Sequence, residues 1–255
     1  RAREAQAPAL DSKEKTEYLS VTGSGQWLSG QTRPELAAYV SLSQRQAPTV
    51  TDLENGYKVL AYAQETPDDG IVIQALPLES LIVVSYGDSS FANAEGLKTQ
   101  VGLLVCLTSS EALSGSFRAS IMDFRSCRTK RVVRSTLAGE AQAADGSIDH
   151  GYYVAAFMSE VLSSEPATSG RTPHIPVYSV TDCRSLWDCV QKEAPTCEEK
   201  RTMIDVMSIR QTIPKDGMKW VPTEYQMSDG LTKIDDRLRD KFATWLRNPV
   251  VVLHD

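Results

Sequence analysis

Histidine is scarce and badly placed for metal. The chain has three, His150, His174 and His254. No pair stands at metal-ligand spacing, which argues against a zinc site. The five cysteines, Cys106, Cys127, Cys183, Cys189 and Cys197, are odd in number, dispersed and without a CxxC pair. That argues against a disulfide framework and for a reducing, intracellular compartment, cytoplasmic or nuclear. No apolar run approaches the ~20 residues a membrane helix needs, so no membrane partner is expected. The opening Arg-Ala-Arg-Glu-Ala-Gln is charged, with no apolar stretch of a signal peptide behind it. Its first residue, Arg instead of Met, points to a fragment of a longer chain or a processed product. An overall basic balance, common in nucleic-acid binders, is also missing: the net charge is −6.

What remains is ordinary globular material. The 255 residues are 41% apolar and 24% charged, enough for one large domain or two small ones. The basic charge that exists is concentrated. Arg118, Arg125, Arg128, Lys130, Arg131 and Arg134 lie close together against one acid, Asp123. Such a strip suits a polyanion; a solvated strand face is the ordinary alternative.

Along the chain, residues 1–17 are polar and aperiodic and read as a tail or linker. Helices are expected over 34–46, with Pro34 near its start, and over 52–64. Pro67-Asp68-Asp69-Gly70 reads as a turn into a short strand over 71–76. Pro77 marks a boundary near residue 79. Three strands follow over 81–86, 101–107 and 119–124, an antiparallel meander. Ser135 or Thr136 caps the next helix, with a break expected near Asp145-Gly146. After a loop over 165–173 come a strand over 175–180, helices over 183–191 and 198–213, a strand over 217–222, and a helix over 236–247. The last carries Leu238, Phe242, Trp245 and Leu246 on one face. The sum is an α/β fold of the α+β type, a five-stranded mixed sheet flanked by helices.

Four acids stand at places where local structure aims a carboxylate. Asp88 ends the apolar run LIVVSYGD, Asp182 ends IPVYSVTD, Glu140 lies one turn into STLAGEAQAA, and Asp229 opens SDGLTK before the final helix. A carboxylate cluster of this kind suits hard divalent cations. Taken singly, Asp88 reads equally well as a turn cap, Asp182 and Asp229 as helix caps, and Glu140 as a surface residue.

These segments resemble a known family. Residues 86–93, YGDSSFAN, resemble the YSDADWAG motif that opens the ribonuclease H domain of copia-type (Pseudoviridae-like) retrotransposon polyproteins. RSTLAGEAQAA (134–144) resembles the family's LSSTEAEYIAL, and VYSVTDCRSLWDCV (177–190) its LYCDNQSAIAL. WVPTEYQMSDGLTK (220–233) is close to its YVPTEDQLADILTK. Upstream, residues 24–46 are similar to the segment after the polymerase palm, and 57–76 follow the next region loosely. The chain departs from the pattern at Phe91, where the motif has Trp, at Ala138, where it has Glu, and at 202–205, where a His is missing.

The resemblance implies a flexible tail over 1–17, a thumb- or connection-like remnant of a reverse transcriptase over 18–79, a ribonuclease H-like domain over 80–248 and a tail over 249–255. It implies a nuclease that cleaves the RNA strand of RNA–DNA hybrids, with Asp88, Glu140, Asp182 and Asp229 as catalytic and metal-binding residues. Asp88 would bridge two Mg2+ ions, with Mn2+ as an alternative. Arg125, Arg128, Lys130, Arg131, Arg134 and Lys233 are the expected nucleic-acid contacts, Lys233 reading equally as a solvated helix-end lysine. The implied partners are the hybrid and the rest of the reverse transcriptase polyprotein. The polymerase motif YVDD does not occur, so no polymerase activity is expected of this chain. A non-catalytic hybrid-binding or connection module is the alternative reading, and another nuclease of the same fold is a third.

Overall fold

The computed structural model describes residues 7–163, 175–193, 197 and 199–253. The loop expected over 165–173 lies outside the described residues. Five strands form the central sheet in the order β4-β2-β1-β5-β6. β1 (Leu81–Ala94), β2 (Lys98–Ser109) and β4 (Ser120–Arg128) pair antiparallel, as the meander predicts. β5 (Val177–Thr181) joins β1 in parallel, and β6 (Met218–Trp220) joins β5 in parallel. Parallel neighbours need long crossovers. α4 (Thr136–Ser163) supplies the first, and α5 (Arg184–Gln191) with α6 (Lys200–Thr212) the second.

β1 is buried from Leu81 through Asp88 because both of its faces are covered. Ile82, Val84 and Tyr86 pack with Leu104, Cys106, Phe242 and Leu246, the last two from α7 (Asp236–Arg247). Val83 packs with Val105, Leu107, Val154 and Ala155 on the α4 side. Two glycines permit the closest approaches. A Cβ on Gly87 would lie 2.6 Å from the Ala143 carbonyl oxygen of α4. One on Gly102 would lie 2.7 Å from the Ser228 carbonyl oxygen. Both neighbours belong to elements that carry an acid, so these contacts help place the site.

Several expectations are corrected. Residues 12–17 are not tail. They begin α1 (Ser12–Gln31), whose N-terminus is closed by a capping box in which Asp11 accepts from Lys13 and Glu14 N–H, and Glu14 accepts from Asp11 N–H. α1 buries Tyr18, Val21, Gly25 and Ser29, a face of mostly small residues with little hydrophobic periodicity. The helix expected over 34–46 is shorter: a 3₁₀ turn, Pro34–Leu36, leads into α2 (Ala37–Ser43). The strand expected over 71–76 does not form. Ile73 is exposed, and the Gln74 N–H and carbonyl both bond the Ser120 hydroxyl in place of a strand partner. α4 runs unbroken through Asp145-Gly146. The tail expected over 249–255 contains β7 (Val250–Val252), which pairs with β3 (Ser116–Arg118) in a second, two-stranded sheet. The other N-terminal helix is α3 (Val50–Glu65). Arg33 ties α3 to the segment before α2: its guanidinium meets Glu35 Oε1 at 2.5 Å and the Thr66 carbonyl at 2.9 Å.

Candidate metal centre

The acids arrive from separate elements. Asp88 is the last residue of the buried half of β1. Asp182 directly follows β5, the parallel neighbour of β1. Glu140 lies one turn into α4, which packs across both strands. Asp88, Glu140 and Asp182 each offer an oxygen within 4.8 Å of the others, forming a triad. Asp229 sits in the 3₁₀ turn Met227–Leu231 and stands outside it. Asp229 is buried, its Oδ1 accepts from Lys233 Nζ at 2.5 Å, and its charge acts on Asp88.

Each triad carboxylate accepts from one hydroxyl. Thr232 Oγ1 donates to Asp88 Oδ2 at 2.5 Å, Ser89 Oγ to Glu140 Oε1 at 2.9 Å, and Thr223 Oγ1 to Asp182 Oδ2 at 2.8 Å. Trp220 Nε1 also donates to the Asp182 carbonyl at 3.0 Å. These three hydroxyls were not singled out from sequence. Their only signal is position, since each falls inside a segment that already carries an acid or precedes one.

Burial, then the charge of Asp229, pushes the Asp88 carboxyl up to about 7, against the opposing pull of Lys233 and Thr232. Burial, then Asp88, pushes Glu140 up to about 8. Burial lowers the Lys233 ammonium, but Asp88, Asp229 and Asp182 together outweigh it and leave Lys233 above its ordinary value. Buried carboxylates that raise one another's pKa are stabilised when a cation sits among them. Glu140 Oε2 is buried with no hydrogen-bond partner among the described residues. An all-oxygen donor set with one orphaned carboxylate oxygen fits a hard divalent cation.

The six expected nucleic-acid contacts divide. Arg125, Lys130 and Arg134 are exposed and show no ion pair among the described residues. The other three have partners within the protein. Arg128 donates to the Ser41 and Gln44 carbonyls at the end of α2 and lies 3.6 Å from Glu95. Arg131 makes two 3.0 Å bonds to Asp205 of α6. Lys233 is held by Asp229.

No protein-family model matches the chain, and no curated protein matches it. Among solved structures it is similar to ribonuclease H1 from the halophilic archaeon Halobacterium salinarum NRC-1, with 12% identity and a TM-score of 0.38, over 62% of this chain and 97% of that one. It is similar to LC11-RNase H1, isolated from compost by a metagenomic approach, with 14% identity and a TM-score of 0.38, over 64% and 96%. The structure of LC11-RNase H1 in complex with an RNA/DNA hybrid gives 13% and 0.37, over 62% and 97%. Three antiparallel strands followed by two parallel ones, flanked by helices, form the five-stranded mixed sheet of an α/β fold.

Proposed function

We propose that this chain is a metal-dependent ribonuclease H that cuts the RNA strand of RNA–DNA hybrids, as part of a copia-type reverse transcriptase. The observation that carries this reading is the Asp88, Glu140 and Asp182 triad with its unpartnered Glu140 oxygen. Two divalent cations bound there would activate water and stabilise the leaving 3′ oxygen. Asp88, Glu140 and Asp182 would hold the cations, Mg2+ or Mn2+, with Asp229 joining them once its carboxylate leaves Lys233. Thr232, Ser89 and Thr223 fix the rotamers of their carboxylates, so the ligand oxygens are oriented before cations arrive. Hydrolysis adds water across the phosphodiester, breaking the bond to the 3′ oxygen and leaving a 5′-phosphate and a 3′-hydroxyl. Arg125, Lys130 and Arg134 meet backbone phosphates. Selection of RNA rests on 2′-hydroxyl contacts in the wide minor groove of the hybrid.

The retroelement context is supported by the ordered motif resemblances, of which WVPTEYQMSDGLTK is the longest. On that reading residues 18–79 are the connection-like remnant and 80–248 the nuclease domain. One observation favours the non-catalytic alternative: Lys233 supplies Asp229 with a cation of the protein's own. The test is a labelled hybrid with Mg2+ and the purified chain. RNA cleavage by the native protein, absent in Asp88→Asn, supports the nuclease. Hybrid binding without any cleavage selects the binding module instead.

A further inference from the structure

We propose that Arg184 forms a phosphate-binding subsite for the substrate strand beside the carboxylate triad, an inference that rests on the hybrid-cleaving reading above. Arg184 opens α5, two residues after Asp182. Its guanidinium carbon lies 4.4 Å from the Trp187 ring centre and 5.2 Å from that of Trp220. Both indoles are pinned by their own N–H groups. Trp187 Nε1 donates to the Met218 carbonyl at 3.3 Å, and Trp220 Nε1 to the Asp182 carbonyl at 3.0 Å. The aromatic seat is therefore fixed to β6 and to the backbone of a triad acid.

Seating on aromatic faces leaves the guanidinium edge free, and the edge carries the N–H donors. Arg184 Nε lies 3.4 Å from Asp188, and the side chain is still 56% exposed. Beside it, a cleft of about 300 Å³ runs along the edge strand β6, with Gln191, Lys219 and Asp216 in its wall. Lys219 has no ion pair among the described residues; its ammonium lies 5.8 Å from the Tyr178 ring centre. Asp216 precedes β6, at the end of the cleft away from the triad. Trp220 pairs with Thr181 and its indole meets the Asp182 carbonyl, so the Trp220 wall of the cleft touches the backbone of a triad acid.

Nε of this guanidinium faces Asp188, but its two Nη groups have no partner among the described residues, and such a pair of donors matches phosphate oxygens in a two-bond fork. The ligand is thus a backbone phosphodiester of the strand lying on the triad, next to the bond that is cut. Exposed arginines often stack on indoles for packing alone, and the two roles differ in salt dependence. A phosphate contact contributes about one unit to the slope of log Kd against log salt, and a packing contact contributes none.

The test is anisotropy of a labelled RNA–DNA hybrid, with Ca2+ replacing Mg2+ to prevent turnover, across a salt series. Arg184→Gln is expected to weaken binding about tenfold and to reduce the slope by about one. Arg184→Lys is expected to keep the slope yet bind more weakly than the native protein, because an ammonium makes no fork. Arg184→Lys alone carries the test if Arg184→Gln proves unfolded by thermal melting. Native affinity in the folded variants, or weaker binding with an unchanged slope in Arg184→Gln, would overturn the subsite. A native protein that cuts the hybrid while Arg184→Gln and Arg184→Lys bind normally sinks the subsite only. A native protein that binds the hybrid and never cuts it sinks the nuclease reading only.

Discussion

Thr232, Ser89 and Thr223 are small side chains with a large expected effect. Each holds one triad carboxylate, and groups that orient metal ligands typically contribute 10–100-fold to metal affinity or activity. Thr232→Val is therefore expected to weaken Mg2+ binding by about that factor, read by calorimetry, and to cost about 1–3 kcal/mol of stability because Asp88 and the Asp229 carbonyl both lose the buried hydroxyl. Unchanged Mg2+ affinity would show that Asp88 needs no such support. The raised Asp88 and Glu140 carboxyls also set a pH dependence. Between about pH 4 and their folded values of about 7 and 8, the metal-free native state holds protons that the unfolded chain has released. Their contribution to stability is present in full below the unfolded pKa and is lost as pH rises through the folded values. The melting temperature of the chelator-treated protein is expected to fall from pH 5 to pH 8 more steeply than that of Asp88→Asn. Added Mg2+ is expected to restore it at pH 8 far more than at pH 5. A parallel pH profile in Asp88→Asn would contradict this assignment. The convergence of Asp88, Glu140 and Asp182 was legible in the sequence because strand ends and a helix start flank them, whereas Asp229, expected with them, stands outside the triad. The hydroxyls were not, because Ser and Thr are common and their value lies in a contact made across elements.

At the scale of elements, the close packing of α4 on β1 aligns Glu140 with Asp88. Gly87→Ala would push a methyl group into the Ala143 backbone, and a rigid neighbour of that kind makes overpacking cost about 1–3 kcal/mol. The expected result is a lower midpoint in urea together with reduced cleavage, since α4 must shift and carry Glu140 with it. Full activity with native stability would mean that the approach is slack. At the other end of the chain, Asp11→Ala removes the α1 cap and is expected to cost about 0.5–2 kcal/mol in the same titration. Elements with strong periodicity were readable in advance: β1, β2, β4, β5 and α7 lie close to where their apolar patterns put them. α1 was not, because Gly25 and Ser29 pack where a Leu stripe would announce a helix. β3 and β7, three residues each, are too short for any pattern and exist through their pairing. The expected strand at 71–76 meets the edge strand β4 through the Ser120 hydroxyl, which bonds both the N–H and the carbonyl of Gln74 in place of a backbone ladder.

Across the whole molecule, the N-terminal helices and the sheet share a core. Ala37 belongs to the same buried cluster as Val84, Tyr86 and Phe242. Arg247 bonds Asp69 at 2.8 and 3.0 Å, and Tyr39 bonds Asp236 at 2.5 Å. The boundary expected near residue 79 therefore separates segments that pack as neighbours. A chain starting at residue 80 is expected to melt well below the full chain, and equal melting temperatures would show that the shared contacts contribute little. Within a net charge of −6, Arg125 of β4 and Lys130 and Arg134 between β4 and α4 remain exposed. The central claim is that the triad directs metal-dependent cutting of one strand of a hybrid. The most direct measurement labels both strands of an RNA–DNA hybrid and follows cleavage with Mg2+ or Mn2+, for the native chain and for Asp88→Asn, Glu140→Gln, Asp182→Asn and Asp229→Asn. The predicted result is cleavage of the RNA strand alone, stopped by chelation, abolished by the three triad substitutions and weakened by the fourth. An intact hybrid with native protein and either metal, or equal cleavage by native protein and Asp88→Asn, would contradict it.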